Sequence, residues 1–309
     1  MDGETRIEQG AGLIHHALPY RSDGDLIDRV VPFASRGLEG GEAVMVAVDA
    51  RHLDPLRQAI GPGARYHDAA RWYRRPGKTL AAYHAFVTDA LDAGAPGIRI
   101  VGEPAWPGGP PAMVRAWARY ESAINEVLAA EPVWALCPYD TRRLPGAVVT
   151  EAMRTHPETT DRPSAQYVPP REFVGVPPDP PPAGATWFLV PSPFDIRRAR
   201  DAVSEAARAT GMTEARVATL TVAVSEAVSN ALRHGRTAAR VWTWTEPGLA
   251  LVVQVDDDGR GIADPLAGYR PPSPGGTGAG LWTARQMADV VDVWARPGGG
   301  TSVRVAMTA

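Results

Sequence analysis

Three polar side chains recur at helical spacing late in the chain. Glu226, Asn230 and His234 follow one another at intervals of four residues, which places them along one stripe of a helix. A polar stripe is usually a solvated face, but Glu226 is the only charged residue between positions 222 and 228. A solvated face is therefore a less convincing interpretation here than usual, and His234 is expected to end the helix rather than to do chemistry.

Two glycine-rich segments follow this helix. Residues 256–261 read Asp-Asp-Asp-Gly-Arg-Gly after an apolar strand, and residues 275–281 read Gly-Gly-Thr-Gly-Ala-Gly-Leu where a helix begins. Clustered glycines let backbone N–H groups approach an anion, and the following helix N-terminus adds its dipole. No strand leads directly into the second segment, so it is not a dinucleotide-binding fingerprint. Each segment alone is compatible with an ordinary turn, so their order and spacing carry the interpretation.

In this order, the three segments resemble the N box and two glycine boxes of the GHKL ATPase superfamily, which includes gyrase, heat-shock chaperones, histidine kinases and MutL. Gly300 and Thr301 match the late Gly-Thr pair of that superfamily. Within it, the chain most resembles the anti-sigma-factor serine kinases of the RsbW and SpoIIAB type. The resemblance covers residues 185–309 and implies an α+β two-layer sandwich, the Bergerat or GHKL ATPase fold.

The resemblance also implies roles in binding ATP and Mg²⁺. Asn230 would coordinate Mg²⁺ through its side-chain oxygen, Asp257 would accept the adenine amino proton, and Thr301 would support the adenine end. Glu226 would act as the general base that takes a proton from the attacking hydroxyl. The glycines implied to approach the nucleotide or close over its phosphates are Gly259, Gly261, Gly276, Gly278 and Gly280.

The first half of the chain alternates short apolar runs with helical periodicity, which predicts a mostly parallel α/β sheet covered on both faces. It resembles the MEDS sensory domain of DcmR-like regulators, a relative of the RecA and KaiC fold. The segments that carry this resemblance are residues 15–20, 33–42, 101–106, 136–140 and 156–157. The resemblance covers residues 10–156 and implies a RecA-like parallel-sheet sensory domain.

A RecA-like domain normally carries a phosphate loop after its first strand. Here that turn, residues 20–25, has no Gly-Lys-Ser/Thr, and the acidic Asp23 and Asp25 would repel phosphate. The only Gly-Lys-Thr, at residues 77–79, has Trp72 where the loop pattern demands glycine. We therefore expect no ATP in the first domain.

Several reactive or polar side chains fall in or near the predicted strands, mostly towards the carboxyl ends, where open α/β sheets bind ligands. They are His15, Tyr20, Glu103, Trp106, Cys137 and Tyr139. Ordinary core and edge positions are the alternative for all of them, and the apolar flank of Cys137 favours plain burial over a thiol sensor. Because His15 and His16 point to opposite faces of a strand, they are not expected to share a metal.

Nine prolines between His156 and Ala183 mark a boundary. Proline lacks an N–H and fixes φ, so no helix or sheet is expected to run through residues 157–184. We interpret this segment as a semi-rigid, partly extended linker. The chain thus divides into a sensory domain at residues 10–156, the linker, and a kinase-like domain at residues 185–309.

Composition excludes several classes of protein. The formal net charge of −3 leaves no global basic field for nucleic acid or anionic lipid. Residues 1–4 lack the basic flank and apolar core of a signal peptide, and no run is apolar and long enough to span a bilayer, so we expect a cytoplasmic protein. The single cysteine excludes an internal disulfide and a Cys-rich zinc site.

These features favour an ATP-dependent serine/threonine protein kinase that acts as an anti-sigma regulatory factor and is gated by its sensory domain. The resemblance implies a sigma factor or an anti-sigma antagonist as partner, and a homodimer. A sensor histidine kinase is the alternative, but it needs a phosphoacceptor helix with an acidic residue after its histidine, and alanine follows both His16 and His84. A non-catalytic ATP-binding regulatory module is a third hypothesis, which Glu226 weakens.

Overall fold

The computed structural model describes residues 12–104, 109–159, 162–272 and 278–308, and they form two compact units. The first unit holds residues 12–74, 79–104, 118–159 and 162–170. The second holds residues 75–78, 109–117, 171–272 and 278–308. One unit has a parallel sheet and the other an antiparallel sheet, which confirms the fold class expected from the sequence.

An all-parallel sheet of six strands forms the centre of the first unit. The strands are β1 (Ile14–Tyr20), β2 (Ala43–Val48), β3 (Arg65–Asp68), β4 (Ile98–Gly102), β5 (Val133–Asp140) and β6 (Glu158–Thr159). Their order is β3-β2-β4-β5-β1-β6. Strands β4 and β5 are buried along their whole length, as parallel strands covered on both faces should be. The carboxyl ends of these strands therefore meet at one edge.

Helices separate these strands along the chain. They are α1 (Asp23–Glu39), α2 (Ala50–Ile60), α3 (Ala69–Trp72), α4 (Pro76–Asp92), α5 (Pro111–Val127) and α6 (Gly146–Thr155). The sequence did not predict β3, because its residues Arg65-Tyr66-His67-Asp68 form no apolar run and lie half-exposed at the sheet edge. Short elements of this kind depend on neighbouring strands more than on their own pattern.

The proline-rich segment at residues 157–184 contains two short regular elements, and neither runs through the whole segment. Strand β6 pairs with β1 in parallel, and a six-residue helix, α7 (Pro170–Gly175), follows it. Pro170 is the first residue of α7, where the missing N–H has no partner to lose and the fixed φ suits a helix. Proline clusters therefore mark where these elements begin as well as where structure ends.

A five-stranded antiparallel sheet in the order β10-β11-β9-β8-β7 organises the second unit. Its strands are β7 (Thr186–Val190), β8 (Ala239–Glu246), β9 (Leu249–Asp256), β10 (Val290–Ala295) and β11 (Thr301–Met307). Its helices are a short 3₁₀ turn (Pro193–Asp195), α8 (Ile196–Ala209), α9 (Glu214–His234) and α10 (Ala279–Met287). Side chains of these α-helices and of the sheet bury one common core that includes Val203, Leu220, Val224, Val241, Val253, Ala284 and Val305.

Candidate nucleotide site

Helix α9 carries the polar stripe that the sequence singled out. Leu220, Val224 and Val228 are buried in the core, whereas Glu226 and Asn230, one turn apart, are only half-buried. The helix thus has one face fixed by packing and another that presents a carboxylate and an amide. The buried face keeps the polar pair in a defined position.

The N-terminal turn of α10 lies directly against this polar pair. A Cβ atom added to Gly280 would lie 2.5 Å from Glu226 Oε2 and 3.3 Å from Asn230 Nδ2. A side chain at position 280 would displace the Glu226 carboxylate, so glycine lets the helix backbone and the carboxylate lie this close. Gly278 precedes α10 with a φ of +107°, a left-handed conformation that favours glycine. Glu226, Asn230 and Gly280 are therefore neighbours in space.

Asp257 lies where β9 ends, and it is buried to 7% exposure. Its Oδ1 atom accepts hydrogen bonds from the backbone N–H groups of Gly259, at 2.8 Å, and Thr301, at 3.1 Å. In the part of the chain that the structure describes, its second oxygen, Oδ2, has no hydrogen-bond partner. The carboxylate is thus held rigidly by one oxygen while the other remains able to accept a proton donor from a ligand.

Gly300 makes the approach of the last strand to Asp257 possible. It has a φ of +92°, and an added Cβ atom would collide with the Asp257 carbonyl oxygen. Arg296 donates to that same carbonyl oxygen at 2.8 Å, which fixes the turn before β11. Gly261 lies beside Gly300, since its Cβ position is 3.1 Å from the Gly300 carbonyl oxygen.

The structure therefore brings the described candidate residues into two groups along the C-terminal half of α9. One group is Glu226, Asn230 and Gly280, with Gly278 directly before α10, and the other is Asp257, Gly259, Gly261 and Thr301. The end of α9 joins them, because an added Cβ at Gly235 would lie 3.3 Å from Asp257 Cβ. His234 is exposed at the helix end. Gly276 falls in residues 273–277, outside the described residues.

Sequence reasoning missed the two aspartates that flank Asp257. Asp256 accepts hydrogen bonds from Ser302 Oγ, Gln254 Nε2 and Trp242 Nε1, so it joins three adjacent strands. Asp258 accepts from the backbone N–H groups of Arg236 and Thr237, which hold the pKa of its carboxyl below its ordinary value. Both oxygens of Asp256 and of Asp258 accept hydrogen bonds within the domain, so Asp257 is the one of these three consecutive aspartates with a free oxygen.

Arg285, another residue that the sequence did not flag, ties the segment before α10 to the sheet. Its Nε donates to the Ala267 carbonyl oxygen at 3.2 Å and its Nη1 to the Val291 carbonyl oxygen at 2.7 Å. Its guanidinium also lies 3.7 Å from the centre of the Tyr269 ring, a cation–π contact. Arg285 thus connects residues that precede the glycine-rich loop with the helix that follows it and with the sheet.

The arrangement suits a nucleotide with its base at one group and its phosphates at the other. Asp257 offers an acceptor oxygen of the kind that recognises an exocyclic amino group. The helix N-terminus at Gly280 offers backbone N–H groups to an anion, and Asn230 offers an amide oxygen of the type that Mg²⁺ prefers. The space left by the missing side chain at Gly280 adjoins both Glu226 and Asn230, so the residues present fit a Mg²⁺–nucleotide complex.

The first unit has a separate cavity of about 360 Å³ at the carboxyl edge of its sheet. Its charged and aromatic lining includes Asp49, Arg51, Tyr73, Glu103, Asp140 and Arg143. Arg51 donates to Asp140 Oδ2 at 2.7 Å, and the Tyr20 hydroxyl donates to Glu103 Oε1 at 2.7 Å. The turn after β1 caps α1 with Ser22, whose hydroxyl accepts from the Asp25 N–H, rather than forming a glycine-rich phosphate loop.

The other residues expected at this edge are placed differently. His15, Cys137 and Tyr139 are buried within the unit, so the expectation of burial for Cys137 agrees with the structure. His16 pairs with Glu158 at 2.5 Å, away from the partners of His15, as expected for adjacent residues of a strand. Trp106 lies outside the described residues.

Comparison with known families also finds two domains in the chain. Residues 14–157 match the family model of the MEDS domain, the methanogen/methylotroph DcmR sensory domain, and residues 189–307 match that of the histidine kinase-like ATPase domain. No curated protein shows significant similarity to the chain. Among the described residues, no helix is both long and apolar enough to cross a membrane. The chain therefore consists of a MEDS sensory domain followed by a histidine kinase-like ATPase domain, the architecture of an ATP-dependent regulatory protein.

Proposed function

We propose that this protein is an ATP-dependent serine/threonine protein kinase that regulates a sigma factor, with the MEDS domain as its sensory input. The observation that carries the proposal is the position of Glu226, whose carboxylate lies against Gly280 in the first turn of α10 and one helical turn from Asn230. A carboxylate placed beside an anion-binding helix end, with no basic partner of its own among the described residues, is suited to accept a proton.

The adenine end of ATP would lie at Asp257. Its free Oδ2 would accept a proton from the exocyclic amino group, while Gly259 and Thr301 hold Oδ1 in place. Thr301 would also support this end as the first residue of β11, and Gly261 would let the backbone pass close to the nucleotide. Guanine has a carbonyl where adenine has this amino group, so the same oxygen would select against GTP.

The phosphate end would lie at α10 and Asn230. Backbone N–H groups in the first turn of α10, after Gly278, would donate to phosphate oxygens, and Asn230 would hold Mg²⁺. When bound, Mg²⁺ neutralises negative charge on the phosphates. Gly276 would contribute to the loop that closes over them.

Glu226 would perform the proton transfer. As a serine or threonine oxygen of the partner forms its bond to the γ-phosphorus, the bond from that phosphorus to the ADP oxygen breaks. The hydroxyl proton passes to the Glu226 carboxylate, and ADP leaves with the electron pair. The products are ADP, the phosphorylated partner and protonated Glu226, which then returns its proton to solvent.

The proposed partners are a sigma factor and an antagonist protein that carries the phosphorylated residue, and the proposed assembly is a homodimer. The charged cavity lined by Asp49, Arg51, Glu103, Asp140 and Arg143 is the candidate ligand site of the sensory domain. Its mixture of acidic and basic side chains favours a small polar ligand that bears both hydrogen-bond donors and acceptors.

Phosphosite mapping tests the proposal. The full chain, used as bait in an extract of its source cell, is incubated with Mg-ATP, and the captured proteins are analysed by mass spectrometry at neutral pH. Phosphoserine or phosphothreonine that disappears with a Glu226→Gln bait supports the proposal. Phosphohistidine on the captured protein would favour a histidine kinase, and ATP binding with no phosphate on any partner would favour a non-catalytic module.

A further inference from the structure

Four buried side chains of the first unit converge on one point. They are His15 on β1, Glu121 on α5, Cys137 on β5 and His156 directly after α6. One ligand atom from each lies within 4.8 Å of every other, and no member is more than 5% exposed. Strands β1 and β5 are adjacent and parallel, and their register pairs His15 with Ala135, so His15 and Cys137 point to the same face of the sheet.

We propose that His15, Glu121, Cys137 and His156 form a buried four-ligand site for a divalent transition metal, with Zn²⁺ as the ion that fits best. Two imidazoles, a thiolate and a carboxylate are ligand types that zinc accepts in tetrahedral sites. The thiolate and carboxylate together carry two negative charges, so Zn²⁺ would make the buried cluster neutral and remove the cost of unpaired charge.

Three separations between ligand atoms of the cluster match tetrahedral coordination. His15 Nε2 lies 3.4 Å from Cys137 Sγ and 3.7 Å from Glu121 Oε2, and His156 Nε2 lies 3.8 Å from Glu121 Oε2. Zinc bonds of about 2.0–2.3 Å place tetrahedral ligand atoms roughly 3.3–3.8 Å apart. These three of the six ligand-to-ligand separations lie in that range, and all six are within 4.8 Å, so small side-chain shifts would bring the four atoms around one ion.

Hydrogen bonds orient both imidazoles toward that point. His15 Nδ1 lies 3.0 Å from Asn125 Oδ1, and the Asn125 amide nitrogen donates to the carbonyl oxygens of Ser122 and Thr155, which fixes the oxygen toward His15. His156 Nδ1 donates to the Ala152 carbonyl oxygen at 2.8 Å. With Nδ1 protonated in both rings, each Nε2 presents a lone pair to the cluster, the tautomer that a metal requires.

Two atoms of the cluster lack any other partner. Glu121 Oε2 and His156 Nε2 are fully buried and make no hydrogen bond within the described residues. Buried polar atoms without partners are costly and rare. A metal ion at the centre would satisfy both atoms at once, and it would connect four separate segments of the chain. Because all four ligands come from the protein, the site has the closed form of a structural zinc site rather than the open form of a catalytic one.

Cobalt substitution tests this site with a specific optical signal. Chelator-treated full-length protein is titrated with Co²⁺, and we expect a thiolate-to-cobalt charge-transfer band that saturates at about one ion per chain. Cys137 is the only cysteine, so such a band can come from no other thiolate. The Cys137→Ser variant should lose the band, and His156→Gln should weaken Co²⁺ binding by about tenfold or more.

His16→Gln is the matched control, because His16 lies next to His15 in sequence but pairs with Glu158 instead. Its band and affinity should equal those of the wild type. As-purified protein should contain about one zinc per chain, and zinc should raise the Tm of chelator-treated protein. Wild-type protein that carries no zinc and gives no thiolate band would overturn the proposal, and this result does not depend on whether any variant folds.

Discussion

Asp257 and Thr301, forty-four positions apart, are joined by two hydrogen bonds in opposite directions. The Asp257 N–H donates to the Thr301 carbonyl oxygen at 2.9 Å, and the Thr301 N–H donates to Asp257 Oδ1 at 3.1 Å. The first bond continues the pairing of β9 with β11 beyond the end of β9, and the second orients the carboxylate. The proposed adenine contact is therefore built on the sheet rather than on a loose turn.

Asp256→Asn should destabilise the ATPase domain without removing the nucleotide contact. The amide would place an N–H₂ group toward at least one hydrogen-bond donor now facing Asp256, at a cost of about 1–3 kcal/mol. Thermal unfolding should show a Tm lowered by several degrees. Asp201→Asn, an exposed substitution on α8, is the control and should leave Tm unchanged. An unaltered Tm in Asp256→Asn would show that these three bonds contribute nothing to stability.

Gly280→Ala should reduce phosphotransfer without lowering the stability of the domain. The added methyl group would lie 2.5 Å from Glu226 Oε2, so the flexible carboxylate must move while the helix backbone stays in place. Displacing the proposed base by about 1 Å can reduce phosphotransfer by up to about 100-fold. Tm should be unchanged or slightly raised, since alanine favours helix over glycine. Gly184→Ala, whose Cβ would meet nothing within 4 Å, should behave as wild type in both assays.

Glu226→Gln should preserve ATP binding and abolish most phosphotransfer. The amide has the same shape but cannot accept the hydroxyl proton, and general bases typically contribute about 10²–10⁴ in rate. Isothermal titration calorimetry and a single-turnover phosphorylation assay of the captured partner measure the two quantities. Glu205→Gln, an exposed glutamate on α8, controls for charge. If phosphotransfer in Glu226→Gln equals that of the wild type, the base lies elsewhere.

Acidic pH should lower the stability of the sensory domain because it protonates Asp140. Hydrogen bonds from Arg142, and then from Arg51, hold the pKa of this carboxyl well below its ordinary value. As pH falls, the Asp140 carboxyl is therefore protonated first in the unfolded chain, near pH 4. Its contribution to the free energy of unfolding is present above that pH and is lost as pH falls toward the lower pKa of the folded state.

Measurements of Tm against pH check this linkage. Asp140→Asn removes the depressed carboxyl, so the Tm difference between wild type and variant should be largest near neutral pH and should narrow below about pH 4. Asp28→Asn, an exposed substitution on α1, should give a small difference at every pH. A Tm difference between wild type and Asp140→Asn that stays constant through the acid range would contradict the role given to Asp140.

The sequence revealed more of the second domain than of the first. Clustered glycines and the spacing of Glu226 and Asn230 indicate the site directly, because close backbone approaches require glycine and helical spacing fixes a stripe. Asp258 gave no such signal, since its partners at Arg236 and Thr237 come from a turn more than twenty residues away. The residue types in a turn do not show which distant backbone N–H groups its side chains will bind.

The buried cluster shows the same limit more strongly. His15, Cys137 and His156 each look like core residues of their own segments, and Glu121 lies on a helix whose pattern is ordinary. Only the strand order, which places β1 beside β5, brings residues more than a hundred positions apart into contact. Local pattern predicts the strands, but their pairing depends on the whole sheet.

The most direct test of the ATP site is the binding of Mg-ATP to full-length protein with and without the Asp257 acceptor oxygen. Calorimetry on the wild type should show about one site per chain, since the first domain lacks a phosphate loop. Asp257→Asn keeps an oxygen for Gly259 and Thr301 but replaces Oδ2 with an amide donor. The binding free energy of ATP should therefore weaken by about 1–3 kcal/mol, which raises Kd roughly 5- to 150-fold, while Tm changes little. Equal ATP affinity in the two proteins, or two sites per chain in the wild type, would contradict the account.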